Sequence, residues 1–350
     1  MKKNQISAKC PISSVLTSTS LLNHQEFLIT PTAPPYGYLQ YLQGHLQQIR
    51  YTQLFDTSKI AYPEPRRLLI KELSKSERLG STRDGKSIYL ISYAASSSVI
   101  REIGRLREMT FRAVGEGTQT CRDLDEYDKH YRHIVMWDNN DLEIVGAYRI
   151  GEAYRLAKQG KTSNEMLYTA SLFNYGPGMQ LLLPDAIELG RSFIQERYWS
   201  SRALDCLWQG VGVYLQNKPH IRYLFGAVSI SNEYPTLAKQ QIVACYAHCF
   251  RPSEYSHYAL AKNPFKTERS VRESYRDLST SEALSGLKQA LASQGLKVPV
   301  LFKHYAELCE HHGVSFIDFN IDHGFANAID GLILLDLHTM RQEKRNRYLK

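Results

Sequence analysis

The 350-residue chain contains no apolar run of about 18 residues, so no segment reads as a membrane-spanning helix. Its longest late apolar stretch, GLILLDL, suits a strand instead. Cysteine is scarce. Cys10, Cys121, Cys206, Cys245, Cys249 and Cys309 are scattered without paired spacing, so neither a disulfide framework nor a zinc site is indicated, and the thiols read as reduced. No internal repeat or low-complexity tract is present. The basic start, Met1 to Lys3, runs into CPISSVLTSTSLL, which is too polar for a secretory apolar region, so a cytoplasmic protein is expected. Positive charge, by contrast, is in surplus. A formal net charge of +8 favours an acidic partner. No nucleic-acid motif accompanies it, which argues against that partner. The tail from Arg341 to Lys350, RQEKRNRYLK, carries five positive residues against one negative. It reads either as a solvated helix end or as a peripheral contact with an anionic membrane face.

Residues 1–65 read as an irregular N-terminal arm, because TPTAPPYGYLQYLQ and AYPEP place prolines where no element runs long. A single domain is expected over 66–340. Its core, 86–250, starts with the strand SIYLISYA and an amphipathic helix from the cap-like Ser96 to Ser98 through about Val114. Val99, Ile103, Leu106 and Met109 form that helix's core-facing stripe. HIVMWD and EIVGAYRI, separated by NND, read as a hairpin. The strand AIELGRSFI, a helix near Ser201 to Asn217 and the strand YLFGAVSIS suggest a parallel crossover. A helix from Pro235 to Phe250 follows, then a helical insertion over 251–297. A helix at Val298 to His312 and two apolar strands close the domain over 298–338, leaving 341–350 as a basic tail.

Within AIELGRSFI a carboxylate, a glycine and an arginine interrupt an apolar strand, which marks a site. Simple alternation sends Glu188, Gly190 and Ser192 to one face and Ile187, Leu189, Arg191 and Phe193 to the other. A bulge after Glu188 would instead bring Arg191 onto the Glu188 side. A self-satisfying Glu188–Arg191 ion pair is the competing reading.

The motifs REIGRLREMTFRAVGEG, RDLDEYD, IVGAYRI, ELGRSF, LWQGVGVYL and RYLFGAVSISN occur in order from Arg101 to Asn232. Together they resemble the ornithine-lipid and glycine-lipid type N-acyltransferases of the Gcn5-related N-acetyltransferase-like superfamily. A likeness to putative hemolysins extends from about Arg67 to the C-terminus. The resemblance implies a mixed, splayed α/β sheet flanked by helices. It also implies transfer of a fatty acyl chain, with or without a 3-hydroxyl, from acyl carrier protein to the α-amine of an amino acid such as ornithine or glycine. A more distant similarity to acyl-homoserine lactone synthases implies site positions at Arg107 or Arg105, Phe111, Asp125, Asp128, Arg149, Glu188 and Arg191.

Amide formation needs an unprotonated amine and donors for a tetrahedral oxyanion. Glu188 is the expected base, or an orienting residue if Arg191 pairs with it. Backbone amides from Gly190 through Ser192 to Phe193 are expected to hold the oxyanion and the pantetheine arm. Asp125 and Asp128 would hold the acceptor's ammonium, and Arg149 would need one of these aspartates or Glu188 as its partner. Arg197 and Arg202 flank the helix start near Ser201, where the glycine-rich turn of coenzyme-A-dependent acetyltransferases is missing. Their charge suits the phosphate of acyl-phosphopantetheine on acyl carrier protein, in preference to a coenzyme A thioester. No resident cofactor or metal is expected: the aspartate loop lacks the glycine and glutamate of a calcium loop, and Cys245, His248 and Cys249 are too few for a metal. Ser192 lacks a G-x-S-x-G elbow. Two alternatives remain: a synthase of a diffusible acyl-amino acid signal, and a non-catalytic module binding acyl carrier protein or a membrane.

Overall fold

The computed structural model describes residues 60–159 and 164–349, so the arm expected at 1–65 falls almost wholly outside the described residues. Helix α1 (Arg66–Leu73) and strands β1 (Glu77–Ser81) and β2 (Lys86–Ser92) lead into α2 (Ser98–Arg112). Ser97 caps α2 by accepting the Ile100 amide at 3.0 Å. The buried stripe of α2 runs through Val99, Ile103 and Leu106 and then turns toward Arg107 and Phe111. Met109, expected on that stripe, is therefore left 42% exposed.

Strands β3 (Arg132–Asp138) and β4 (Glu143–Glu152) form the expected hairpin. A short helix α3 (Tyr168–Leu172) and strand β5 (Phe173–Tyr175) precede β6 (Ala186–Ile194), and α4 (Ala203–Gln216) crosses to β7 (Tyr223–Ile230). Next come α5 (Thr236–Phe250), β8 (Ala259–Ala261), α6 (Thr280–Ala292), α7 (Val300–Ala306), β9 (Val314–Asp322), β10 (Ala328–Asp336) and α8 (Gln342–Tyr348). Eight strands make one sheet in the order β1-β2-β3-β4-β6-β7-β10-β9. Only β6 and β7 run parallel within it, as the crossover through α4 requires.

The parallel ladder is short. It pairs Ala186 with Tyr223, Ile187 with Leu224 and Glu188 with Phe225, and then ends. Gly226 sits where the strands are closest, since a Cβ there would collide with the Leu189 carbonyl oxygen. Beyond that point the β6 edge from Gly190 onward pairs with no strand on the β7 side among the described residues, and the sheet is mixed and splayed as expected. Both faces are packed. Trp208 of α4 and Tyr246 of α5 anchor one face, and α2 covers part of the other, where its Phe111 shares a cluster with Phe193 of β6.

Two expectations need correction. The segment 251–297 is not purely helical, because its strand β8 pairs with β5 in a second small sheet. The helix expected at Val298 to His312 shortens to α7. The basic tail forms a mostly exposed helix, α8, which packs on α4 through Tyr348: its hydroxyl donates to Asp205 at 2.8 Å, and a Cβ on Gly212 would collide with the Tyr348 carbonyl. Cys206, Cys245, Cys249 and Cys309 are free thiols as expected, whereas Cys121 is disulfide-bonded. Among the described residues no helix is long and apolar enough to cross a membrane.

Candidate active site

Strand β6 carries a bulge at Arg191. On β4, Ala147 and Arg149 lie opposite Phe193 and Gly190, so three residues of β6 advance against two of β4. Arg191 absorbs the extra residue in the left-handed region, at φ 47°. That bulge moves Arg191 off the face that simple alternation assigned it and onto the side of Glu188, the second of the two expectations. Ser192 turns away to the opposite face, where it reaches the Tyr148 hydroxyl.

Sharing a side does not make Glu188 and Arg191 a pair. Glu188 is 1% exposed and accepts four hydrogen bonds: from the Tyr131 hydroxyl, the Tyr168 amide at 3.1 Å, and the Thr169 amide and hydroxyl, both at 2.7 Å. Four donors occupy the lone pairs of both oxygens. Burial raises its pKa, against the Tyr131 and Thr169 hydrogen bonds and the Arg149 charge. The sequence had signalled nothing at Tyr131, Tyr168 or Thr169, because hydroxyls and amides in an irregular stretch carry no periodic pattern.

Arg191 belongs to a different network. Its guanidinium approaches Asp123 at 3.4 Å and Asp125 at 3.7 Å, and lies between the rings of Tyr168 and Phe325. Arg107, not Arg105, is the buried arginine of α2. It forks onto Asp128 at 2.9 and 3.0 Å and lies 3.2 Å from Asp123, while Arg105 merely pairs with Glu102 near the surface. Arg149 binds Asp125 at 2.6 Å and Asp128 at 3.4 Å under the Tyr127, Tyr131 and Tyr168 rings. The loop aspartates are its partners, and Glu188 contributes only at longer range. His133 completes the cluster at 3.0 Å from Asp128. Burial lowers the His133 pKa more than Asp128 raises it. Burial alone would raise the Asp128 carboxyl, but Arg107 and Arg149 hold it well below the usual carboxylate range.

Asp128, expected to receive the acceptor's ammonium, is thus enclosed and fully engaged. Asp125 also caps the turn at 126–129 through reciprocal bonds with Asp128, although its carboxylate keeps 24% of its surface. Phe193 is packed in the core. Arg197 and Arg202 are exposed and pair with Asp141, Glu143 and Asp205.

Two cavities flank the β6–β7 split. One, lined by Phe111, Tyr168, Gly190, Arg191, Ser192, Ala227, Ser229, Leu301, Phe325 and Asp330, has an empty volume of about 410 Å³ counting its open mouth. The other, about 220 Å³ of empty volume counting open solvent, is apolar, with Leu189, Val228, Tyr305 and Leu335 in its wall. Both include Ala227, so they adjoin where β6 and β7 diverge. Of the expected site residues, Phe111, Gly190, Arg191 and Ser192 meet in the polar cavity. Glu188 does not line it.

Asp330 and its neighbour Glu116 are site residues that the sequence reading passed over. Asp330 carried the same signal as Glu188, a carboxylate within an apolar strand, AIDGLILLD. Glu116 sat between two glycines in VGEG, where Gly115 and Gly117 adopt φ of 74° and 105°.

Residues 106–209 match the model of the acetyltransferase (GNAT) domain. The chain is 30% identical over 307 residues to a glycine N(alpha)-acyltransferase of Phocaeicola vulgatus, covering 83% of this chain and 93% of that protein. It is likewise 30% identical to the glycine N(alpha)-acyltransferase of Bacteroides thetaiotaomicron over 83% of this chain and 90% of the relative. An L-ornithine N(alpha)-acyltransferase of Agrobacterium fabrum is 27% identical over 67% of this chain and 74% of its own length. Among solved structures, a CoA-dependent acyl-homoserine lactone synthase overlaps 75% of this chain and 87% of its own at a TM-score of 0.38 and 12% identity, too loosely to bear on chemistry. With its splayed sheet, its GNAT domain and two glycine N(alpha)-acyltransferase relatives matched across 93% and 90% of their lengths, this chain belongs to the glycine and ornithine N(alpha)-acyltransferase family.

Proposed function

We propose that this protein transfers a fatty acyl group from a thioester to the α-amine of an amino acid, glycine or ornithine, yielding a lyso-aminolipid. The observation that carries the reading is the β6–β7 split, with an apolar cavity on one side and a polar notch holding Arg191 on the other. In this reading the apolar lining of the first side faces the acyl chain, and the polar notch takes the zwitterionic amino acid. The unpaired β6 edge near Gly190 offers backbone amides to an extended pantetheine arm and to the oxyanion that forms on its carbonyl. The donor in this reading is the acyl-phosphopantetheine of acyl carrier protein, the chain being free to carry a 3-hydroxyl. The basic surface, with Arg197 and Arg202 beside the start of α4, supports an acidic carrier protein and peripheral contact with an anionic membrane face.

Glu188 takes a positioning role. By binding the amides of Tyr168 and Thr169 it fixes α3, which delivers the Tyr168 ring to the notch wall. The balanced arginine–aspartate cluster sets the angle of Arg191 in the same way.

Expression in a host lacking aminolipids, followed by mass spectrometry of total lipids and of the medium, tests the reading. The expected result is a new amide-linked acyl-amino acid retained with the lipids. A product found only in the medium would replace this reading with synthesis of a diffusible signal, and no new amide would overturn both.

A further inference from the structure

The polar notch has a wall that the known motifs do not describe. Asp330 of β10 and Ser229 of β7 face each other across the strand pair, opposite Arg191 and Ser192 of β6. Asp330 is only 3% exposed yet lines the cavity, and its Oδ2 is buried with no hydrogen-bond partner among the described residues. Leaving such an oxygen without a donor is costly, so it marks a place where a donor arrives from outside the fold. Two more carboxylates stand behind it. Glu116, 6% exposed, reaches the Ser229 hydroxyl, and Asp322 accepts the Tyr168 hydroxyl at 3.1 Å and the Gly324 amide at 2.8 Å. Arg191 is the cation set against them, and it already shares its charge with Asp123 and Asp125.

Resting on the acyl-transfer reading above, we propose that Asp330, backed by Glu116, takes the proton from the acceptor's ammonium while Arg191 holds the acceptor's carboxylate. An amino acid arrives as a zwitterion, and a cation facing a carboxylate across one notch matches both of its ends. Its ammonium must lose a proton before the nitrogen can attack. An ammonium N–H donates to Asp330 Oδ2, and the proton passes to the carboxylate. The freed lone pair forms the C–N bond to the thioester carbonyl. As the tetrahedral intermediate collapses, the C–S bond breaks and the leaving thiolate takes a second proton from the same nitrogen. Asp330 then releases its proton to solvent.

The surroundings suit this task. Burial, then the charges of Asp322 and Glu116, hold the Asp330 acid above the usual carboxylate range, against Arg191. Burial likewise pushes Glu116 up to about 7, against the Ser229 hydrogen bond and Arg191. A carboxylate in this field takes up a proton more readily than a surface aspartate does. Glu116 acts through Asp330 and is a positioning residue. Asp330 touches the acceptor and is the catalytic one.

The test uses the full chain with a long-chain acyl carrier protein thioester and with glycine or ornithine, following thiol release against pH and acceptor binding by calorimetry. D330N is expected to lower kcat by about 100-fold or more, to leave the thioester KM within about twofold, and to abolish the acidic limb of the pH profile. E116Q is expected to retain more turnover and to move that limb to lower pH, because removing a like charge lets Asp330 ionise sooner. Wild-type turnover with an intact acidic limb in D330N overturns the proposal. Should D330N fail to fold, an unmoved limb in E116Q overturns it instead. Should the wild type release no thiol with any amino acid, the acyl-transfer reading falls and calorimetry decides the inference. Acceptor binding that D330N abolishes sustains the site, and binding that is equal in both or absent from both overturns it.

Discussion

Two groups of buried charges adjoin at Arg191, and they differ in balance. In the first, Arg107, Arg149 and Arg191 meet Asp123, Asp125 and Asp128, three cations against three anions, with burial pushing His133 toward its neutral form. In the second, Glu116, Asp322 and Asp330 gather around a notch where, among the described residues, Arg191 is the cation set against them. The balanced group is largely buried, and its arginines pull Asp125 and Asp128 toward ionisation. The unbalanced group is open to a cavity through Asp330, and burial there pushes Glu116 and Asp330 toward holding a proton. Buried charge therefore serves two ends here, a rigid frame where it is matched and reactivity where it is not.

The largest expected effect comes from unbalancing the first group. Arg107→Ala strips Asp128 of its forked partner in an interior site and is expected to cost about 3–5 kcal/mol in urea denaturation. A cost below about 1 kcal/mol would mean that the cluster is no frame. Relieving the second group should do the opposite at high pH. Because the folded-state pKa of Glu116 lies above its ordinary 4.5, the fold binds a proton that the unfolded chain has released. The resulting stability is fully present below 4.5 and is lost as pH rises through about 7. Glu116→Gln should then flatten the decline in stability between pH 5 and pH 8, by something of order 3 kcal/mol at most. Parallel pH slopes in the two proteins would show that Glu116 is not strained by its burial.

Glu188→Gln probes a carboxylate that belongs to neither group. One of its four donors would face an amide NH₂, so a loss of about 1–3 kcal/mol is expected, with the acidic limb of the activity profile in place. Loss of that limb would return Glu188 to the role of base. The smallest effect belongs to Arg202→Ala, whose side chain is 75% exposed and should change stability by less than about 0.5 kcal/mol. A rise in the thioester KM with kcat unchanged would tie it to the donor's phosphate, and an unaltered KM would remove it from the site.

Much of the frame was readable along the chain. The β3–β4 hairpin, the β6–α4–β7 crossover and the cap of α2 each depend on residues near one another in sequence, and each appears close to where periodicity and turn chemistry put it. The roles inside the site were harder to read. Glu188 was conspicuous because a carboxylate in an apolar strand is unusual. Whether such a carboxylate is satisfied or waiting depends on what folds over it, and Thr169 and Tyr131 come from segments 19 and 57 residues away. Asp330 sent the same signal and was taken as part of a closing strand.

The sequence by itself determined the elements, the family and the presence of charge in the sheet, because local propensity, hydrophobic period and motif order are properties of neighbouring residues. Only the tertiary structure decided which carboxylates are paired. That outcome hangs on one bulge at Arg191, which turned its guanidinium toward the loop aspartates, and on the parting of β6 from β7 after Glu188. Pairing is a matter of a few ångströms between distant segments, and Coulomb and desolvation energies change over that same distance.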